Sequence, residues 1–96
     1  VIHPAIAPTV RRAILDLIHD VGGEVDDDTA TILLNEIGHR VARSDVADEI
    51  RWLADKGLLK VTETPAMLVI ASTSDGRDTA MGRLRFEGVS RHKTGE

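Results

Sequence analysis

Apolar residues repeat with a helical period in three stretches of the chain and alternate with polar ones further on. Val10, Ile14, Leu17, Ile18 and Val21 form one stripe of a first helix. Thr9, just after Pro8, is placed to cap it. Gly22-Gly23 stop it, because glycine takes the left-handed C-terminal conformation without strain. Ahead of it, residues 1–8 with Pro4 and Pro8 read as an extended arm. Glu24 to Asp28 read as an acidic turn in which Asp26 or Asp27 caps a second helix. Ala30, Leu33, Leu34 and Ile37 give that helix its apolar face, and Gly38 ends it. In the turn His39 to Arg43, Val41 is the apolar plug between helices. Ser44 then caps a third helix, with Asp45 and Asp48 in its first turn. Its stripe is Val46, Ile50, Leu53 and Ala54, and Gly57 closes it.

Leu59, Val61 and Glu63 alternate with Lys60 and Thr62, the pattern of a strand. Thr64-Pro65-Ala66 make a tight turn into a second strand, Met67 to Ala71. Ser72, Thr73 and Ser74 offer a cap for a short fourth helix, Ser74 to Met81, which Gly82 ends. Residues 83–96 carry no period and read as a flexible terminus. The order helix, helix, short turn, helix, hairpin, helix is that of a winged helix-turn-helix. The expected class is mainly α with a β-hairpin: a three-helix core, a two-stranded wing and a short C-terminal helix. The expected division is a winged-helix domain over 1–83 with a short N-terminal arm, and a basic flexible tail over 84–96.

Composition narrows the function classes. A chain of 96 residues suits one domain. The aromatic residues are Trp52 and Phe86 alone, so stacking platforms for single-stranded bases are nearly absent. There is no cysteine, which excludes disulfides, thiolate metal sites and cysteine nucleophiles and fits a reducing cytoplasm. No apolar run approaches the roughly 20 residues needed to span a bilayer. The opening Val1-Ile2-His3-Pro4 does not read as a signal peptide. The net charge of −4 is uneven: residues 1–82 hold eight basic and 14 acidic residues, and residues 83–96 hold four and two. An acidic body with a basic terminus departs from the usual footprint of a strong DNA binder.

The run from Ser44 to Leu59, in which Leu53 is followed by polar residues, Gly57 and an aliphatic pair, resembles the recognition helix and wing of regulators of the ArsR and MarR type. Arg11-Arg12-Ala13-Ile14-Leu15, Val21-Gly22-Gly23, Gly38-His39-Arg40-Val41, Trp52-Leu53-Ala54 and Gly82-Arg83 together resemble a family of small proteins of Mu-like phages and prophages. That resemblance covers nearly the full length. It implies a winged-helix fold and a phage origin, and a DNA-binding transcriptional regulator is the function expected from it, although fold alone does not fix function.

Two readings of the surface follow. In a duplex-binding reading, Arg40, Arg43 and Ser44 at the start of the third helix supply base and phosphate contacts. Lys60 on the first strand and Arg83, Arg85, Arg91, His92 and Lys93 in the tail follow the phosphate backbone. Asp45, Asp48 and Glu49 oppose this, because they lie off the Val46–Ile50–Leu53 stripe and would meet the same phosphates. The wing tip carries no base. Read structurally, the helix is a solvated face whose acids serve the macrodipole, and the tail a solubilising terminus. In a protein-docking reading, Trp52 with Asp48 and Glu49 forms an interface for a basic partner. Its structural counterpart is Trp52 packed beneath the hairpin or fourth helix. Double-stranded DNA, a second copy in a homodimer and a protein partner are the expected partners, and a membrane is not. Arg11-Arg12 read as surface. No nucleophile elbow, phosphate loop or paired-histidine motif is present, so neither catalysis nor a cofactor is expected. Asp26-Asp27-Asp28 lacks the Gly and distal Glu of a calcium loop, so no metal is expected there.

Overall fold

The computed structural model of the chain describes residues 2–91. Helix α1 (Ala7–Val21) begins with Pro8 in its first turn, where the missing N–H has no intrahelical partner to lose. It ends at Gly22, whose φ of 77° lets its N–H return to the Ile18 carbonyl at 3.1 Å. A short strand β1 (Val25–Asp26) leads into α2 (Asp27–Glu36), and a turn leads to α3 (Arg43–Asp55). Strands β2 (Leu59–Glu63) and β3 (Leu68–Ser72) form a hairpin, and α4 (Ser74–Ala80) follows. The sheet is antiparallel in the order β1-β3-β2, with Val25 opposite Ile70 and Val61 opposite Ile70 on its other side. The architecture is therefore four helices on a three-stranded antiparallel sheet.

One apolar core joins these layers. Val10, Ile14, Leu15 and Ile18 of α1 meet Ala30 and Leu34 of α2, Val46, Ile50 and Leu53 of α3, Leu58 and Leu59, and Leu68 and Ile70 of β3. Asp26 caps α2 as its sequence position predicts: its carboxylate accepts the Thr29 N–H at 2.9 Å and the Thr29 hydroxyl at 2.6 Å. Those two bonds hold the Asp26 carboxyl below its ordinary pKa. Thr73 caps α4 by accepting from Gly76 N at 3.0 Å, and its own hydroxyl donates to Gly57 O at 2.7 Å.

Several expectations are corrected. Residues 25–26 are paired strand, not turn; Val25 is buried against the sheet, and a two-residue strand has no periodicity to read. Thr9 does not cap α1, which starts two residues earlier. The N-cap of α3 is Ala42, in extended conformation, and not Ser44; Asp45 accepts the Ala42 N–H at 3.3 Å. Leu15 is fully buried, whereas Val21 and Ile37, both placed in the apolar stripes, are exposed. Arg12 is only 7% exposed and is not a surface residue.

The segment expected as a free tail is docked over its described part. Ser90 N–H donates to Pro8 O at 3.1 Å. Arg12 donates to Ser90 O at 2.8 Å and to Thr79 O at 2.6 Å. Phe86 and Val89 pack against the core. A docked C-terminal strap thus crosses the start of α1.

Candidate binding surfaces

Helix α3 divides into four sides, and each settles the fate of a candidate residue. Its core side is Val46, Ile50 and Leu53. The side toward the hairpin carries Arg43, Ala47 and Arg51, which line one groove with Ser44, Glu63 and the turn Thr64–Leu68. The side toward α1 carries Glu49, Trp52 and Lys56. The solvent crest carries Asp48 and Asp55, both exposed, with the exposed Ser44 and Arg51 at its border with the groove.

Arg43 does not stand free on this helix. Its Nε and Nη2 donate to both oxygens of Asp27, each at 3.1 Å, and Nη2 also reaches Ala66 O at 3.0 Å. Asp27 is 5% exposed and also accepts the Leu68 N–H at 3.1 Å. One carboxylate therefore ties the starts of α2 and α3 to the hairpin. Burial pushes the Asp27 carboxyl up, but the Arg43 guanidinium and the Leu68 N–H outweigh it and leave the pKa below 3.8. Asp27 in turn raises the Arg43 guanidinium. Half of the Arg43 side chain still meets solvent, at 45% exposure.

Glu49 and Trp52, the expected docking anchors, are occupied from within. Glu49 is 8% exposed and accepts from Arg11 Nε at 2.7 Å. The Arg11 guanidinium lies 3.7 Å from the Trp52 ring centroid and its Nη1 donates to Gly88 O at 3.0 Å. Phe86 meets the same indole edge-on, with centroids 6.2 Å apart. Lys56 Nζ approaches the ring to 5.5 Å. Trp52 thus packs beneath the C-terminal strap, not beneath the hairpin or α4. Asp48 remains exposed.

Gly88 is the tightest point of this clasp. Its φ is 93°, and a Cβ there would lie 2.7 Å from the Trp52 ring. Gly88→Val is expected to expel the strap, with a cost of about 1–3 kcal/mol from overpacking alone. Trp52 emission should shift to the red and the thermal midpoint should fall. An unchanged emission maximum would show that the strap does not cover the indole.

The remaining candidates fall in two places. Arg40 is exposed and lines a cleft with Ile6, with Val10 of α1, and with Val41 and Asp45. Arg85 and Arg91 are exposed and share a shallow cleft with Phe86 and Val89. Because Ser90 is bonded at Pro8, the strap places Arg91 near the start of α1, on the side of Pro8 and Arg12 rather than on the side of Ile6 and Val10 that Arg40 adjoins. Lys60 is exposed but does not join them. In the β2–β3 register it points to the sheet face opposite Val61 and Glu63, and Glu63 is the residue that pairs with Arg51 of α3, at 3.3 Å. Lys93 and His92 lie outside the described residues. Among the described residues no group of three His, Asp or Glu side chains converges on a metal-sized site, and no helix is long and apolar enough to cross a membrane.

No family model matches the chain, and no solved structure matches it. It is similar to the uncharacterised protein gp26 of Escherichia phage Mu, with 36% identity over 81 residues, 84% of this chain and 84% of that protein. It is also similar to a small part of translation initiation factor IF-2 from Brucella ovis and Brucella canis, with 31% identity over 71 residues, 71% of this chain but 7% of each factor. The match to the phage Mu protein runs along most of both chains, and on it this chain belongs to the gp26 family of Mu-like phage proteins.

Proposed function

We propose that the chain is a winged-helix DNA-binding protein, a transcriptional regulator of a Mu-like phage that acts by binding and not by catalysis. The observation that carries this reading is topological. A strand β1 between α1 and α2 is hydrogen-bonded to the second strand of the hairpin, and α2 and α3 are joined by a short turn that leaves Arg40 and Ser44 at the surface. That order is the one in which winged helices present a recognition helix and a wing. Arg40, Arg85 and Arg91 supply the exposed positive charge, and Arg43 supports the start of α3 by holding Asp27.

The expected affinity is modest and salt-sensitive. About three phosphate contacts give a logarithmic salt slope of roughly −2.7, so binding should weaken roughly 40-fold between about 50 and 200 mM salt. Fluorescence anisotropy of a labelled mixed-sequence duplex measures this, and Arg40→Ala should lower the slope by about one contact. No binding at the lower salt would overturn the reading.

The acidic crest of α3 favours a second reading. Asp48 and Asp55 flank Arg51, which Glu63 already pairs, so this face suits a basic protein partner better than phosphate. Binding of a basic partner that is lost in Asp48→Lys, with no duplex affinity, would select it.

A further inference from the structure

A cleft of about 210 Å³ opens where the end of α1 meets the end of β3 and Arg77 of α4, and none of the candidate residues described above lines it. Its apolar lining is Ile18 and Ala71. Gly22 and Gly23 leave the main chain bare along it, with nothing within 4 Å of a Cβ at either position. The φ of 77° explains the glycine at 22, but Gly23 has no positive φ, so neither backbone nor packing within the chain requires a glycine there. The polar lining is largely unspent. Arg77 donates from Nη1 to Ser72 O at 3.2 Å and forms no ion pair among the described residues. Glu24 is exposed and forms none either, so opposite charges border one cleft without meeting. The Ser72 hydroxyl oxygen is buried with no hydrogen-bond partner, which among the described residues is true of no other buried side-chain nitrogen or oxygen.

We propose that this cleft binds a small free α-amino acid. The remaining N–H groups of Arg77 and the Ser72 hydroxyl take its carboxylate. Glu24 takes its ammonium, aided by the C-terminal end of α1, where the helix dipole is negative. Ile18 and Ala71 take a short aliphatic side chain. A ligand with one charge would satisfy Arg77 and face Glu24, or the reverse; a ligand carrying both signs satisfies the two together. The size points the same way, because the cleft is smaller than the roughly 300 Å³ at which sites for drug-sized ligands begin. So few ligand atoms in an open cleft give an expected Kd on the order of 1 mM. The proposal does not depend on DNA binding.

The test is a titration of the isotope-labelled full chain with L-alanine and L-valine, up to about 20 mM at fixed ionic strength, followed by backbone amide shifts. Propionate and propylamine, which carry one charge each, are titrated alongside. The expected result is saturable shifts at Gly22, Gly23, Glu24, Ala71 and Ser72 with at least one of the two amino acids, and affinity at least tenfold weaker for both single-charge compounds. Arg77→Gln and Glu24→Gln, both at exposed positions, should each weaken amino-acid binding at least tenfold while the thermal midpoint stays near that of the parent. Ser72→Ala removes a hydroxyl that has no partner in the chain, so it should weaken binding without lowering the midpoint. Absence of saturable shifts with both amino acids overturns the proposal. So does propionate or propylamine binding as tightly as the amino acids, or amino-acid binding that survives Arg77→Gln and Glu24→Gln unchanged.

Discussion

Gly76→Ala is expected to lower the thermal midpoint by roughly 8–16 °C, although alanine is the better helix former. Gly76 sits inside α4, where its Cα rests on the main chain of Leu58. A Cβ there would overlap the Leu58 carbonyl oxygen and lie 3.0 Å from its carbon. That carbonyl cannot step aside. Leu58 is fully buried, its N–H is bonded to Leu53 O at 2.9 Å, and the next residue begins β2. The gain in helix propensity is worth about 1 kcal/mol. Overpacking against fixed main chain costs at or above the upper end of about 1–3 kcal/mol. The net loss is then about 2 kcal/mol, which for a domain of this size is roughly 8–16 °C. Gly23→Ala is the control: nothing lies within 4 Å of a Cβ there, and its midpoint should stay near that of the parent. A Gly76→Ala protein that melts like the parent would mean that α4 does not lie against the start of β2.

The second large effect is expected at Asp27. Replacing it by alanine removes the two carboxylate oxygens that accept from Arg43, leaving Arg43 only Ala66 O, and leaves the Leu68 N–H without its partner. A buried N–H left unsatisfied costs about 1–3 kcal/mol by itself. The tie between the two helix starts and the hairpin goes with it. Asp27→Asn keeps the shape and one acceptor oxygen but loses the charge, and is expected to be milder. The pH dependence follows from the sign of the shift. The folded carboxyl titrates below 3.8, its ordinary value, so its stabilisation is complete above that pH and is lost as the pH falls through the lower, folded value. Denaturant unfolding between about pH 5 and pH 2 should therefore show a steeper loss of stability in the parent than in Asp27→Asn. Asp26, lowered in the same direction by Thr29, leaves part of the slope in place. Equal slopes in the two proteins would show that Asp27 is not held ionised by Arg43.

Helix positions and the hairpin were legible because their signals are local. Stripes at Val46, Ile50 and Leu53, alternation at Leu59 to Glu63 and stops at Gly22 and Gly82 need no knowledge of the rest of the chain. What escaped is set by distant partners. Strand β1 exists only because Val25 and Asp26 find Ile70 and Val69. Helix α3 starts at Arg43 rather than after Ser44, and the reach of Arg43 to Asp27 across 16 positions leaves no local mark. Arg11 and Arg12 look like surface by composition, yet each holds carbonyls of the strap more than 75 residues away. One sign was present: Phe86, Gly88 and Val89 put apolar and small residues into an otherwise basic terminus. The same long-range bonds engage three candidates, because Arg43, Glu49 and Trp52 help to hold the fold together, although Arg43 keeps about half of its side chain in solvent. Arg40, Ser44, Arg85 and Arg91 kept the exposure that the duplex-binding reading requires.

Titrating isotope-labelled protein with an unlabelled mixed-sequence duplex at about 50 mM salt, and following backbone amide shifts, tests the DNA-binding proposal most directly. The predicted result is saturable shifts at residues 40–44 and at Arg85 and Arg91, with Glu49 and Trp52 little changed beneath the strap. An unshifted spectrum, or shifts confined to Asp48, Asp55 and the acidic crest, would contradict it.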